Sequence, residues 1–344
     1  MGANVRYPTD SGLLVSLVCL ITALVGFIHA VGLAPRTAVR DRRRAAKRRA
    51  HEISMHLKQR NDEAKTQVLR VTGELATIAE KSLKEAMYVA ANAKRGTRRV
   101  ARRAGAKALR AMKDLETMIE RGQKVIDQTR ERLSGSMPDS STRIVSLHDP
   151  DARPIKKGRL SKPLEFGYKG QVVDNEDGVI LDHSLHTGAV PDAGLLVPAI
   201  KRITALFGIA PRAVAADRGY GQPKVDTELA ELDVKTRAIP RRGKTSTERR
   251  GIEHSRGFRK LVKWRTGSEG RISYMKRGYG WDRTMLDGIT GATTWCGFGV
   301  LAHNLGKIAT LIEEKEHRRE ARAQLRRPTG AGPPPRSSPE PNAA

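Results

Sequence analysis

The stretch AADRGYG, residues 215–221, decides how the chain is to be read. A small or apolar run from Pro211 to Ala216, broken only by Arg212, delivers the carboxylate of Asp217 to a point where Arg218-Gly219-Tyr220 must turn the chain. Asp and Gly are ordinary turn formers, so a plain turn is one reading. The other is a strand that holds Asp217 at its C-terminal end, where open α/β sheets place ligands. The flanking segments have to choose between them.

Residues 162–188 alternate as two strands joined by Asn175-Glu176-Asp177-Gly178, a hairpin signal. Residues 192–207 have the pattern of an amphipathic helix with Asp192 near its N-cap. A short strand follows at 211–217, a helix at 222–232 and another short strand at 234–239. Strand, strand, helix, strand, helix, strand indicates a mixed α/β sheet. Residues 241–251 form a basic loop, and 268–278 and 288–314 are expected to be helices. From Lys315 the chain turns basic and then Pro-, Gly- and Ser-rich, a composition expected to be disordered. Upstream, residues 3–8 look like the tail of a strand whose beginning is absent. Residues 36–133 are expected to be long helix, interrupted by Gly73, Gly96, Gly105 and Gly122, and 134–142 has linker composition.

The formal charge of +27 and a pI near 10.6 call for a polyanionic partner. Nucleic acid is the first candidate and an anionic membrane surface the second. Aromatic residues make up only 4% of the chain, which favours phosphate contacts by Lys and Arg over base stacking. In residues 93–113 Lys94, Arg98 and Arg102 form one helical column and Arg95, Arg99, Arg103 and Lys107 the next, with no acid among them. A solvated helix face is the plain reading and a DNA-binding face the functional one. Cys19 and Cys296 lie far apart and suggest neither a zinc site nor a disulfide. Leu13–Leu33 lacks Asp, Glu, Lys and Arg and is followed by RDRRRAAKRR, the pattern of a membrane span with a positive-inside flank. A buried helix is the alternative, favoured by Gly26, His29, Gly32 and the lack of a second span.

A partner for Asp217 stands in WRTGSEGRISYMKRGYGWDR, residues 264–283. On a helix Glu269, Ser273 and Lys276 share one face, and a carboxylate beside an ammonium suits a phosphate-handling site. Thr266-Gly-Ser-Glu269 also fits a capping box, in which Glu269 would only satisfy a helix N-terminus.

ADRGY, a basic loop and then R-x3-E-x6-K together resemble the DDE transposases of bacterial insertion sequences, in the branch whose signature is Y-x2-R-x3-E-x6-K. Arg265, Glu269 and Lys276 match three of its four positions, and Val262 stands where the Tyr belongs. GYKGQVV near 167–173, WCGFGVLAHNLGKIA at 295–309 and ANVRYPTDSGLL extend the resemblance. It implies an RNase H-like fold in which three carboxylates hold two Mg2+ or Mn2+ ions for phosphoryl transfer. Asp217 and Glu269 would be the second and third of them, as catalytic groups and metal ligands. Arg265, Arg271, Lys276 and Arg277 would contact DNA, alongside Arg98, Arg99, Arg102 and Arg103. The first carboxylate is expected on a strand before Met1, so the resemblance implies a truncated, inactive transposase. Asp10, Asp149 and Asp151 are poor substitutes, the last two being read as plain loop residues.

The expected organisation is a first-strand remnant at 1–9, a basic helical insertion at 10–135 and a linker at 136–144. An RNase H-like α/β core follows at 145–314, then a disordered tail at 315–344. Double-stranded DNA and a second copy of the chain are the expected partners, in the cytoplasm at the nucleoid, with a membrane role unlikely. The alternatives are a non-catalytic basic helical DNA-binding protein and a single-span membrane protein with a basic cytoplasmic domain.

Overall fold

The computed structural model describes residues 1–3, 9–59, 61–156 and 164–325, the side chains of 96–104 and 324–325 excepted. The expected strand tail at 3–8 and most of the Pro-rich tail therefore lie outside the described residues.

Helix α1 (Asp10–Ala30) starts at Thr9, whose hydroxyl accepts the Gly12 N–H at 3.0 Å. Leu14, Leu17, Val18, Ile21, Val25 and Ile28 recur every three or four residues and are buried. They pack against α2 (Arg43–His56) and α3 (Asp62–Leu133), with each such side chain contributing about 1.5–3 kcal/mol of gross burial. The uncharged segment thus has a buried face, although α1 is long and apolar enough to cross a membrane by length and composition. The single long helix expected over 36–133 is not what forms. The chain breaks between α2 and α3, and α3 reverses direction at Gly105 (φ 65°, ψ 175°), a conformation open to glycine. Its two arms lie side by side, with Lys94 on Glu116 at 2.7 Å and Arg130 on Glu80 at 2.8 Å. Reversal brings acids of one arm to the bases of the other. Asp10 joins this unit through Arg132 (2.8 Å) and Arg143 (3.6 Å), which gives it a structural task.

The second half is the α/β part. Strands β1 (Arg153–Lys156), β2 (Leu164–Asp174) and β3 (Ile180–Thr187) form an antiparallel sheet. β1 was not foreseen, since RPIK is too short and too polar to announce a strand. After α4 (Ala193–Phe207), β4 (Ala213–Ala215) pairs parallel with β5 (Thr236–Ala238) across α5 (Pro223–Glu231). Among the described residues these are two separate sheets, one of three strands and one of two. The supposed loop at 241–251 contains helix α6 (Thr247–His254), capped by Ser246. Helix α7 (Arg256–Gly278) begins well before the expected 268, with Ser255 as its cap. Helix α8 (Gly288–Leu325) continues past the expected end, so residues 315–325 are helical rather than disordered.

Asp149 and Asp151 are not plain loop residues. Asp149 is buried, accepts the Tyr168 hydroxyl and takes the Gly288 N–H at 3.2 Å, while Asp151 takes the Ile289 N–H at 3.0 Å. Both meet the first turn of α8, where free N–H groups favour anions.

Candidate active site

Asp217 directly follows the β4 ladder in extended conformation, and its Oδ1 accepts the Gly219 N–H at 2.7 Å. The short 3-10 turn Arg218–Tyr220 starts there, so a strand end and a turn coexist at this residue. A second carboxylate stands opposite. From the point where a Cβ on Gly219 would sit, Asp192 Oδ2 is 2.6 Å away and Asp217 Oδ1 2.9 Å. Asp192 precedes α4 but makes no side-chain cap, and its Oδ1 instead meets Lys169 Nζ of β2 at 2.6 Å. Burial, and then the charges of Asp192 and Asp217, push the Tyr220 phenol well above its ordinary range. Sequence reasoning had given Asp192 a capping role and had not singled out Lys169. Only the packing of β2 beside the start of α4 joins residues so far apart in the chain.

Glu269 lies on the middle of α7, so the capping-box reading fails: the helix has begun at Arg256, and the Thr266 hydroxyl binds the Lys263 carbonyl at 2.5 Å. Glu269 meets Arg265 at 3.3 Å. Asp192, Asp217, Arg265 and Glu269 all line one cavity of about 820 Å³. Its sides are residues 170–176 of β2 and the turn, 211–217 around β4, and α7; Leu196, Ile200 and Ile203 of α4 supply an apolar wall.

Both sheet edges turn backbone toward this cavity. Tyr168 exchanges hydrogen bonds with Met1, at 3.0 Å from its N–H and 2.9 Å to its carbonyl. By the alternation of an antiparallel ladder, Gly170 and Val172 point their peptide groups to that same side. On β4 the bonds to β5 flank the strand, from Thr236 N–H to the Arg212 carbonyl and from Ala216 N–H to the Ala238 carbonyl. Ala213 and Ala215 therefore face away from β5, and they line the cavity with Gly170 and Val172.

The other expected site residues are dispersed. Arg271 pairs with Asp174 and donates to Ser268 at 3.2 Å, which straps α7 to the end of β2. Lys276 lines an adjoining cavity of about 360 Å³ with Met1, Tyr168 and Trp281, which shares Gly170, Val172 and Asp192 with the first. Arg277 is exposed at the end of α7. The side chains of Arg98, Arg99, Arg102 and Arg103 lie outside the described residues. In the basic segment after β5, Arg241 and Arg249 are engaged by Asp226 at 2.9 and 3.3 Å, leaving Arg242, Lys244 and Arg250 exposed.

Carboxylate oxygens are the donors magnesium prefers. Here, however, Asp192 is held by Lys169, Asp217 accepts a backbone N–H and Glu269 is drawn to Arg265. Among the described residues no three His, Cys, Asp or Glu side chains are grouped to hold one ion. The donors fit a divalent metal in kind but not in number, so no chemical step is derived through one.

Residues 138–305 match the family model described as Transposase DDE domain. The match covers the α/β part with Asp217 and Glu269 and supports a DDE transposase, a family that generally uses divalent metals. No curated protein and no solved structure matches the chain.

Proposed function

We propose that the chain is a transposase of an insertion element whose DDE domain binds duplex DNA and presents Asp217 and Glu269 to a scissile phosphate. One observation carries this reading: residues some fifty positions apart, which nothing local brings together, line one cavity with Arg265, which stands four residues before Glu269 on α7. The two sheets are, in this reading, the halves of one RNase H-like mixed sheet, and the 10–135 helices are a basic insertion into it. Exposed Arg242, Lys244, Arg250 and Arg277 neutralise DNA phosphates, while Arg265 steadies Glu269. Acting on DNA, the protein works in the cytoplasm at the nucleoid.

A second reading is favoured by the donor count: the chain binds DNA without cleaving it. Cleavage of DNA carrying element ends, with magnesium supplied, separates the two. In the first reading Asp217→Asn and Glu269→Gln abolish cleavage and leave DNA affinity unchanged. Cleavage that survives both substitutions removes the catalytic assignment, and DNA binding with no cleavage by the unaltered chain establishes the second reading.

A further inference from the structure

The contacts of Asp192 are not those of a helix cap. It stands at the N-cap position of α4, yet its side chain makes no bond to the helix. Its Oδ1 meets Lys169 Nζ at 2.6 Å, and the same ammonium donates to the Val190 carbonyl at 2.5 Å. Its Oδ2 lies against Gly219, where Asp217 Oδ1 also comes. The three side chains belong to neighbouring cavities. Lys169 lines the cavity of Lys276 and Asp217 lines the larger one. Asp192 lines both, and also a third of about 510 Å³ shared with Asp217, Arg218 and Val262. Gln171 stands two residues after Lys169 and so on the same face of β2. It is 6% exposed, and its Oε1 has no partner. Its side chain reaches the oxygen of Tyr220, the phenol that feels the charges of Asp192 and Asp217.

We propose that the Lys169 ammonium is the resident counter-ion of the Asp192–Asp217 carboxylate pair, so that a divalent cation and this ammonium compete for Asp192. Two carboxylates crowded against one glycine repel unless a cation answers them. Lys169 supplies that charge from within the chain. The shortfall of oxygen donors in the cavity follows from this, because Asp192 is the donor in question and its Oδ1 is already engaged. With the ammonium removed, Asp192, Asp217 and the unpartnered Gln171 Oε1 are the hard oxygens on offer, and magnesium and manganese take amide as well as carboxylate oxygens. Gly219 belongs to the same device, since a side chain there would meet both carboxylates. An ion pair that merely ties β2 to α4 would leave cation binding indifferent to either partner.

The test uses no DNA, so its failure is separate from a failure of the cleavage assignment. Mn2+ binding to the full chain, read by paramagnetic resonance of the free ion, should be weak and should tighten by about tenfold or more in Lys169→Met. Lys169→Arg keeps the charge and should not tighten it. Lys201→Met removes a charge from the exposed side of α4 and should not tighten it either. Adding Asp192→Asn to Lys169→Met should abolish the gain. In the unaltered chain, excess Mn2+ should speed acetylation of Lys169 by an amine-acylating reagent, read by peptide mass spectrometry, and leave that of Lys201 unchanged. This measurement decides the matter if Lys169→Met misfolds. Equal Mn2+ affinity in Lys169→Met and the unaltered chain, a gain that survives Asp192→Asn, or acetylation of Lys169 indifferent to Mn2+ would overturn the proposal.

Discussion

Gly221→Ala tests how the turn after Asp217 is held. Gly221 packs against the chain leaving β5: a Cβ there would lie 1.9 Å from the Pro240 carbonyl oxygen and 3.1 Å from the Arg242 nitrogen. No side chain can yield at that point, because the obstructing atoms are backbone, and the 240–242 segment must withdraw by roughly an ångström. Withdrawal breaks the Arg242 N–H bond to the Gly221 carbonyl (2.9 Å) and the Arg218 Nε bond to the Arg241 carbonyl (3.1 Å). Two bonds at about 0.5–1.5 kcal/mol each, with about 1–3 kcal/mol of overpacking strain, amount to roughly 2–6 kcal/mol. The urea midpoint should fall by roughly 1 M. Gly270→Ala is the contrast: a Cβ there meets nothing within 4 Å in the middle of α7, so it should stabilise by about 0.5–1 kcal/mol. Equilibrium unfolding in urea compares the three chains. A Gly221→Ala midpoint equal to that of the unaltered protein would refute the close-packing argument.

Neutralising Arg98, Arg99, Arg102 and Arg103 together should flatten the slope of log K against log salt for duplex DNA by roughly three units, and an unchanged slope removes this stretch from the DNA contact. Tyr168→Phe leaves buried Asp149 with one donor fewer, and its Oδ2 already has no partner, so thermal unfolding should show a loss of about 1.5–3 kcal/mol. Burial lowers the pKa values of His183 and His186 below the ordinary imidazole value. The unfolded chain takes up protons near pH 6.5 that the folded chain still refuses, so stability should fall as pH drops through about 6.5. Replacing both with Gln should reduce that slope, measured as the urea midpoint against pH.

Residues 211–217 were legible because an apolar run that ends in Asp-x-Gly leaves few alternatives, and the 162–188 hairpin because Asn175 to Gly178 is a strong turn signal. Glu269 was legible as a site residue, but its helix was placed too late: GFRKLVKW carries too many charges for its apolar spacing to stand out, and Ser255 was passed over as the cap. The reversal of α3 was hidden because the residues around Gly105 are good helix formers and only tertiary pairing of the arms shows the turn. Asp192 stands at the N-cap position of α4 as expected, but the use of its side chain was hidden for a related reason. Its local context is that of a cap, and Lys169, which draws it away, is twenty-three residues upstream. Asp10, Asp149 and Arg271 likewise have partners that no short window contains.

The separation of the two sheets bears on how the site moves. β4 and β5 are three-residue parallel strands, a ladder too small to be stable alone. What keeps them in place is the apolar cluster of Val214 and Ile239 with Ile200, Val225 and Leu229, drawn from α4 and α5. Asp217 hangs from that cluster, whereas Glu269 is tied through α7 and Arg271 to the longer β2–β3 ladder. The wall that carries Asp217 is therefore built on the smaller ladder, buttressed by Val173 and Leu181 of the hairpin and by α7, and is the wall expected to loosen first. Amide exchange at Val214 and Ala238, which face each other across the β4–β5 ladder, should run faster than at Gln171 and Ser184, a hydrogen-bonded pair of the β2–β3 ladder.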